Sequence, residues 1–214
     1  MFVITADQVD SRSHDDAVST ALARIEAIAP EGLLLPAERT AGDEIQALTD
    51  DADTAYRLVL ELSRDGRWSI GVGIGPVRLP LGDSTRASTG EAFFAARAAI
   101  DAAKRTPSRF ALRVEPEPAP DPLAVRAEDV EALMTVVLAL REKRTDKGWE
   151  VHDLLAAGAT QSRAASALGI TQGAVSMRAR TGSSREELAA SEAIVRLLAM
   201  LDHTTMLAHT TTEA

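Results

Sequence analysis

The segment EPEPAPDPLA, residues 115–124, constrains the fold of this chain more than any other stretch. It carries proline at alternate positions, and each proline fixes φ, removes a backbone donor and disfavours helix at the residue before it. Neither a helix nor a central strand is expected to run through such a segment. We therefore predict two domains, residues 1–115 and residues 126–214, joined by an extended proline-rich linker at residues 116–125.

Strand and helix patterns alternate before the linker. Short apolar or alternating runs predict five strands, and three segments with apolar residues at helical spacing predict helices between them. Ala41-Gly42 is a hairpin signal, and Asp50 is expected to cap the helix that follows the hairpin. The resulting order is βαββαβαβ, a hairpin set between two crossover units. It predicts an α+β domain of the ferredoxin-like kind, followed by an all-α domain.

The residues after the linker read as helices throughout. The sequence SREE at Ser184 is typical of a capping box, so a long amphipathic helix is expected to begin there. Four apolar residues follow one side of that helix: Leu188, Val195, Leu198 and Leu201. This side is either a dimer interface or a surface that packs within its own domain, and the sequence leaves both readings open.

Charge is distributed unevenly along the chain. The formal net charge of −9 opposes binding to a polyanion. Residues 154–185, however, contain four Arg and no acidic residue, so one window of an acidic protein is basic. The chain has no Cys, its four His are scattered, and no apolar run approaches the ~20 residues of a membrane span. We expect a cytoplasmic protein without membrane contact.

The basic window contains the most specific pattern in the sequence, ATQSRAASALGITQGAVSMRARTG at residues 159–182. Two short helices that cross at a sharp angle need small residues at their contact, and Ala164 and Ala165 supply them. Gly169 suits a turn with positive φ, Thr171 suits the cap of the second helix, and Val175 points back into the core. A helix-turn-helix is therefore predicted at residues 160–181.

This segment resembles the helix-turn-helix of bacterial regulators of the Cro and sigma-factor type, whose QxxxAxxLGxxxxxVS frame matches residues 161–176. The resemblance implies that the second helix enters the major groove of double-stranded DNA. The residues expected to face the bases are Gln172, Gly173, Ser176 and Arg180, and those expected to contact phosphates are Gln161, Thr171, Arg178 and Arg185. Arg178 stands where the pattern usually has an apolar residue. The alternative is a helical hairpin that only packs.

The domain before the linker resembles the palm domain of nucleotidyl cyclases. ITADQVDSR is similar to their first strand, RTAGDEIQA to their metal-binding hairpin and, more loosely, to the GGDEF turn, and SIGVGIGPV and GEAFFAARAAI to later segments. The resemblance implies that Asp7 and Asp43 hold Mg²⁺ or Mn²⁺ against a nucleotide. It also implies that Arg12, Arg39 and Arg97 contact that nucleotide.

Two departures from the cyclase pattern bear on activity. Phe93 replaces the asparagine that pairs with Arg97, and Arg39 replaces a lysine that selects the base. Without a ligand, the three arginines and the nearby acids would instead form a structural ion-pair network. Catalysis is therefore expected to be absent, while metal or nucleotide binding stays open.

With both halves together, the chain resembles the actinobacterial branch of SatD-type proteins. We predict a homodimeric transcriptional regulator with a non-catalytic, cyclase-like domain that senses a nucleotide or binds a partner. The competing hypothesis is a metal-dependent nucleotidyl cyclase or nucleotidyl transferase that its helical domain targets. A scaffold whose domains both contact proteins is a third reading.

Overall fold

The computed structural model describes residues 1–10, 16–40, 42–118, 121 and 124–212. In that part of the chain the protein is a mixed α+β structure with a five-stranded sheet and eight α-helices, as the sequence predicts at this level. By internal contacts it divides into two compact units, Met1–Thr135 with Ile194–Ala214, and Val136–Ala193. The predicted linker includes residues 119, 120, 122 and 123, which lie outside the described residues.

The first unit contains the sheet. Its strands are β1 (Phe2–Gln8), β2 (Leu35–Arg39), β3 (Glu44–Thr49), β4 (Trp68–Ile74) and β5 (Phe110–Val114). Its helices before the linker are α1 (Val18–Ile28), α2 (Ala52–Ser63) and α3 (Glu91–Ala103), with a short 3-10 helix at Thr85–Ala87.

The strand order in the sheet is β2-β3-β1-β4-β5. β1 lies antiparallel to both β3 and β4, β3 is antiparallel to β2, and β4 is parallel to β5. The register places Asp7 opposite Glu44 on one side and opposite Ser69 on the other. Because directly paired residues of antiparallel strands share a face, these three side chains lie on the same side of the sheet.

Two glycines of β4 let helix α3 lie against the sheet. A Cβ at Gly73 would fall 2.1 Å from the backbone N of Ala96, and one at Gly71 would fall 2.3 Å from the backbone N of Ile100. Gly71 is two residues from Ser69 in β4, so both lie on the same face of the sheet. Ser69 is the cross-strand partner of Asp7, and α3 therefore covers the face that carries Asp7. The same face therefore presents a helix beside the end of β1.

One predicted helix start is wrong by a residue. Asp51, not Asp50, caps α2: the Asp51 side chain accepts from the backbone N of Thr54 at 2.8 Å and from the Thr54 hydroxyl at 2.7 Å. These hydrogen bonds hold the pKa of Asp51 below its usual value, and the bond from the Thr54 hydroxyl has the largest effect. Both acids precede the same apolar stripe, and only the backbone geometry at Asp51 distinguishes them.

The remaining helices are α4 (Ala127–Glu142), α5 (Asp146–Ala156), α6 (Gln161–Leu168), α7 (Gln172–Thr181) and α8 (Ser184–Thr212). The unit Val136–Ala193 holds the end of α4, all of α5, α6 and α7, and the start of α8. Threonine side chains accept from backbone N–H groups at the starts of α5, α6 and α7. These caps satisfy donors that the first turn leaves unpaired.

Helix α8 begins at Ser184 as predicted, and the four apolar residues along its side differ in exposure. Leu198 and Leu201 are buried within the chain, whereas Leu188 is exposed and Val195 is half-buried. Packing within the chain therefore accounts for two of the four residues that the sequence offered as an interface. Within the described residues, no helix combines the length and apolar character needed to span a bilayer.

Candidate functional site

The turn between α6 and α7 has the local geometry that its sequence predicts. Gly169 ends α6 with φ of 64°, in the left-handed region. The Thr171 hydroxyl then accepts from the backbone N of Ala174 at 3.1 Å and caps α7. Glycine reaches positive φ without a Cβ penalty, so the chain reverses into α7 after a short connection.

A small apolar core lies beneath α6 and α7. Its buried members come from α5, α6 and α7, and half-buried residues beside the turn pack against them. The buried residues are Val151, Ala164, Ala165, Val175 and Ala179, and the half-buried ones are Leu154, Leu155, Leu168 and Ile170. The predicted inward positions of both alanines and of Val175 are confirmed.

Other positions of α7 are exposed to solvent. Gln172, Gly173 and Arg180 are exposed, and Ser176 is half-buried. Gln172 and Gly173 open α7 directly after its cap, and Arg180 lies in its last turn. The residues predicted to contact bases are therefore present on one helix, three of them fully accessible.

The residues predicted to contact phosphates differ in accessibility. Thr171 and Arg185 are exposed and Gln161 is half-buried. Sequence reasoning missed Arg163, an exposed residue of α6 that belongs to the same acid-free window. In the described part of the chain, Arg163, Arg180 and Arg185 have no ion-pair partner.

Arg178 is the exception among these arginines. Its Nη1 lies 3.4 Å from Oε2 of Glu150 on α5, and its side chain is only 25% exposed. An arginine of the basic window is therefore paired with an acidic residue outside that window, because Glu150 precedes residues 154–185. Arg178 as it stands is partly neutralised.

A buried charge cluster joins α4, α5 and α8 in the unit Val136–Ala193. The carboxylate of Glu187 accepts from the guanidinium of Arg141, and from Nη2 of Arg144 at 2.7 Å. Both guanidinium groups also lie over the Trp149 ring, with their carbons 4.6 Å and 4.4 Å from its centroid. The His152 ring meets Trp149 edge-on at 5.4 Å. Sequence analysis missed this cluster.

The cluster also determines where α7 ends. Arg144 donates from Nε and Nη2 to the carbonyl oxygen of Gly182, at 2.8 Å and 2.7 Å. Gly182 is the residue that follows the last turn of α7. A charge-assisted pair of hydrogen bonds thus anchors the C-terminus of the helix that exposes Gln172 and Arg180.

The predicted capping box at Ser184 does not form. The Ser184 hydroxyl is buried without a hydrogen-bond partner in the described residues, and Glu187 is bound to Arg141 and Arg144 instead. Two buried guanidinium groups compete for this carboxylate more strongly than one backbone N–H, because each carries a full charge. The Glu that suggested a local cap is a tertiary contact.

His152 is held neutral by its surroundings. Its pKa falls to about 4, chiefly because burial disfavours the charged ring; Glu187 raises the pKa, Arg144 and Arg141 lower it, and Asp153 raises it. Its Nε2 lies 3.5 Å from Oε1 of Glu187. At neutral pH the cluster therefore contains two cations and one anion.

On the sheet face, two carboxylates lie side by side, and each pairs with a cation, one from the middle of α3 and one from the residue that follows α3. Asp7 accepts from the Lys104 ammonium at 2.8 Å, and Arg97 lies 3.4 Å from Oε2 of Glu44. Glu44, rather than Asp43, is the cross-strand partner of Asp7. Lys104 and Glu44 were not among the residues that sequence reasoning assigned to this site.

The other predicted ligands lie elsewhere or outside the description. Asp43 is half-buried in the hairpin, and its backbone carbonyl accepts from the N of Gln8 at 3.2 Å. Arg39 binds the carboxylate of Asp16, and this hydrogen bond is the main reason that the pKa of Asp16 falls below its usual value. Arg12 lies outside the described residues.

The donor set at Asp7 does not fit a divalent cation. A hard cation takes about six oxygen ligands and needs carboxylates free of other cations. Here the Asp7 carboxylate is already bound to Lys104, and Glu44 faces Arg97. Across the described residues, no group of three or more His, Asp or Glu side chains is arranged to hold a metal.

Comparisons of this chain with protein-family models, with curated proteins and with solved structures found no match.

Proposed function

We propose that the chain is a DNA-binding transcriptional regulator of the SatD type, with residues 160–181 as a helix-turn-helix. The observation that carries the proposal is the exposed side of α7, where Gln172, Gly173 and Arg180 face solvent within an acid-free stretch of sequence. Gln and Arg are the side chains suited to bidentate contacts with base edges in the major groove. A helix that only packed would not need them there.

Phosphate contacts are assigned to the residues around the two helix starts. Gln161 and Thr171 stand at the starts of α6 and α7, and the Thr171 hydroxyl, which accepts from Ala174, still has its proton to donate. Arg178 and Arg185 add charge, and Arg163 joins them. Because one such surface makes few phosphate contacts, we expect a homodimer that reads two half-sites.

A gel shift against genomic fragments at two salt concentrations tests the proposal. Arg180→Ala should weaken binding about tenfold, because a bidentate Arg contact contributes roughly 1–3 kcal/mol. Arg105→Ala, an exposed arginine beyond α3, is the control with the same charge change and should bind as wild type does. If no fragment is retarded at low salt, the chain is not a DNA-binding protein.

For residues 1–115 we propose a ferredoxin-like, cyclase-palm-like domain that senses a nucleotide in the cytoplasm or binds a partner. The strand order β2-β3-β1-β4, antiparallel throughout, supports the assignment of the fold. The exposed cations Arg97 and Lys104 support an anionic ligand. Calorimetric titration with ATP and with GTP tests for the nucleotide, and no heat with either would leave partner binding as its role.

A metal-dependent nucleotidyl cyclase or transferase is the second candidate. One observation favours it: Asp7 and Glu44 present their carboxylates from directly paired positions on neighbouring strands. Incubation with ATP or GTP and Mg²⁺ or Mn²⁺ should then release pyrophosphate, and Asp7→Asn should release none. Release that is equal in wild type and Asp7→Asn would exclude this candidate.

A further inference from the structure

We infer that Lys104 takes the place of a divalent cation at Asp7, so that the sheet face of the first unit binds a phosphate-bearing ligand without metal. This inference rests on the proposed nucleotide-sensing role of that domain and adds how the ligand is held. It concerns Lys104, which the sequence did not single out.

The position of Lys104 is fixed by packing rather than by chance contact at the surface. Lys104 follows the last residue of α3, and its backbone N donates to the carbonyl oxygen of Ile100 at 3.1 Å. Helix α3 is held against β4 at Gly71 and Gly73, where no Cβ would fit. Because helix and sheet are in direct backbone contact, the Cα of Lys104 has little freedom to move relative to Asp7.

Each carboxylate at this face has a cation beside it without a metal. Asp7 and Glu44 are only 24% and 14% exposed, and two neighbouring carboxylates repel each other unless a cation lies between or beside them. Lys104 pairs with Asp7, and Arg97 pairs with Glu44 and lies 3.9 Å from Asp101. A divalent cation would have to displace the ammonium from Asp7 before that carboxylate could bind it.

The two cations keep donors for an anion. An ammonium has three N–H donors and a guanidinium has five, whereas Asp7 occupies one donor of Lys104. Lys104 is 41% exposed and Arg97 is 68% exposed, and the Nε of Arg97 lies 3.9 Å from Asp101, so both side chains keep further donors that are accessible to solvent. A phosphate group can take hydrogen bonds from these donors directly, with no metal bridge to the carboxylates.

The test of the inference begins with Mn²⁺ alone, followed by electron paramagnetic resonance of the free ion. Wild type and the matched control Arg105→Met should leave the Mn²⁺ signal unchanged at submillimolar protein. Lys104→Met removes the ammonium and should bind Mn²⁺ about tenfold more tightly than wild type, because the carboxylate pair is no longer neutralised. Adding Asp7→Asn to Lys104→Met should abolish this gain. Circular dichroism establishes that each variant is folded.

Two results would overturn the inference. One is Mn²⁺ binding by wild type as tight as by Lys104→Met, and the other is a folded Lys104→Met protein that gains no Mn²⁺ affinity. A second titration uses inorganic triphosphate with EDTA or with Mg²⁺, and equal affinity in both is expected. A requirement for Mg²⁺ contradicts the inference, whereas no triphosphate binding under either condition contradicts the nucleotide-sensing proposal and leaves the Mn²⁺ result to decide the role of Lys104.

Discussion

The carboxylate of Glu187 contacts both Arg141 and Arg144 in the buried cluster. Its side chain is 2% exposed, and that of Arg144 is fully buried. An isolated charge in such a place costs several kcal/mol, and the two guanidinium groups cannot lose their protons to avoid that cost. The stability of the unit Val136–Ala193 therefore depends on this residue.

Glu187→Gln should lower the free energy of unfolding by about 3–5 kcal/mol, because it removes the negative charge that both buried guanidinium groups contact. Urea denaturation followed by far-UV circular dichroism measures the change. The adjacent Glu186 is exposed, so Glu186→Gln makes the same substitution with an expected effect within about 0.5 kcal/mol. Equal midpoints for the two variants would show that Glu187 does not stabilise the cluster.

His152 should make the stability of the same unit depend on pH. Its pKa in the folded protein is about 4, below the ordinary 6.5, so the unfolded chain takes up the proton first. The contribution of the neutral ring is therefore complete above pH 6.5 and is lost as the pH falls toward 4.

Between about pH 7 and pH 4.5 we expect His152 to account for a loss of about 2–3 kcal/mol in the free energy of unfolding. His152→Gln cannot take up this proton, so urea denaturation at both pH values should show a smaller loss for the variant. Comparison with wild type removes the contributions of all other groups that titrate over this range. Parallel losses in the two proteins would mean that His152 is not buried as a neutral ring.

At the scale of elements, α3 and β4 approach each other so closely that a Cβ at Gly73 would lie 2.1 Å from the backbone N of Ala96. The strand sequence GVG places Gly71 and Gly73 beneath a helix face made of alanines, and β4 therefore has no side chain between its backbone and the helix. This contact also brings Lys104 and Arg97 over the carboxylates of β1 and β3.

Gly73→Ala should destabilise the protein by about 1–3 kcal/mol, because the new methyl group would lie 2.1 Å from the backbone N of Ala96 and would push α3 outward. Gly66→Ala is the comparison without a clash: the space around its Cβ position is open, and its cost comes only from the backbone strain of alanine at φ of 67°. Thermal denaturation compares the two. Mn²⁺ affinity should also distinguish the two variants. A displaced α3 withdraws Lys104 from Asp7, so only Gly73→Ala should gain Mn²⁺ affinity.

The sequence predicts elements well where the determining residues are neighbours along the chain. Gly169 and Thr171 specify a turn and a cap through contacts of one to three residues, and both occur as predicted. Asp50 was taken for the cap of α2 because Asp50 and Asp51 carry the same signal. The spacing of Ser184 and Glu187 predicts a capping box, but the partners of Glu187 lie on α4 and in the connection between α4 and α5.

The candidate sites also differ in whether residues close in sequence or distant in sequence determine them. The exposed residues of α7 could be predicted from the sequence because helical spacing separates Arg180 from Val175, and because Gln172 directly follows the cap in the first turn. The partners of the acids on the sheet face were not visible, since Lys104 meets Asp7 across 97 positions of sequence. Strand register and helix packing together determine that contact, and neither is written in a local pattern.

At the scale of the whole molecule, the net charge opposes the proposed partner. The chain carries −9, so its field repels DNA at long range and a small group of local cations has to supply the attraction. That field is screened within about 10 Å at moderate salt, whereas contacts between arginine and phosphate persist. The salt dependence of binding therefore counts the arginines that reach phosphates, independently of the overall charge.

Glu150 should reduce the number of arginines that contact phosphates in the wild-type protein. Its carboxylate lies 3.4 Å from Arg178, and an exposed ion pair of this kind contributes only about 0–1 kcal/mol, so a phosphate can compete for the guanidinium. Glu150→Gln removes the competitor and a nearby negative charge. We expect tighter DNA binding and a plot of log K against log salt that is steeper by up to about 0.9, one additional phosphate contact.

Gel shifts over a salt series measure this slope for wild type, Glu150→Gln and the double variant Glu150→Gln with Arg178→Gln. The double variant should return to the wild-type slope or below it, because the released guanidinium is gone. Glu142→Gln, on α4 and exposed, changes the net charge equally and controls for the general field. If Glu142→Gln and Glu150→Gln steepen the slope alike, the effect comes from net charge, and Arg178 makes no phosphate contact.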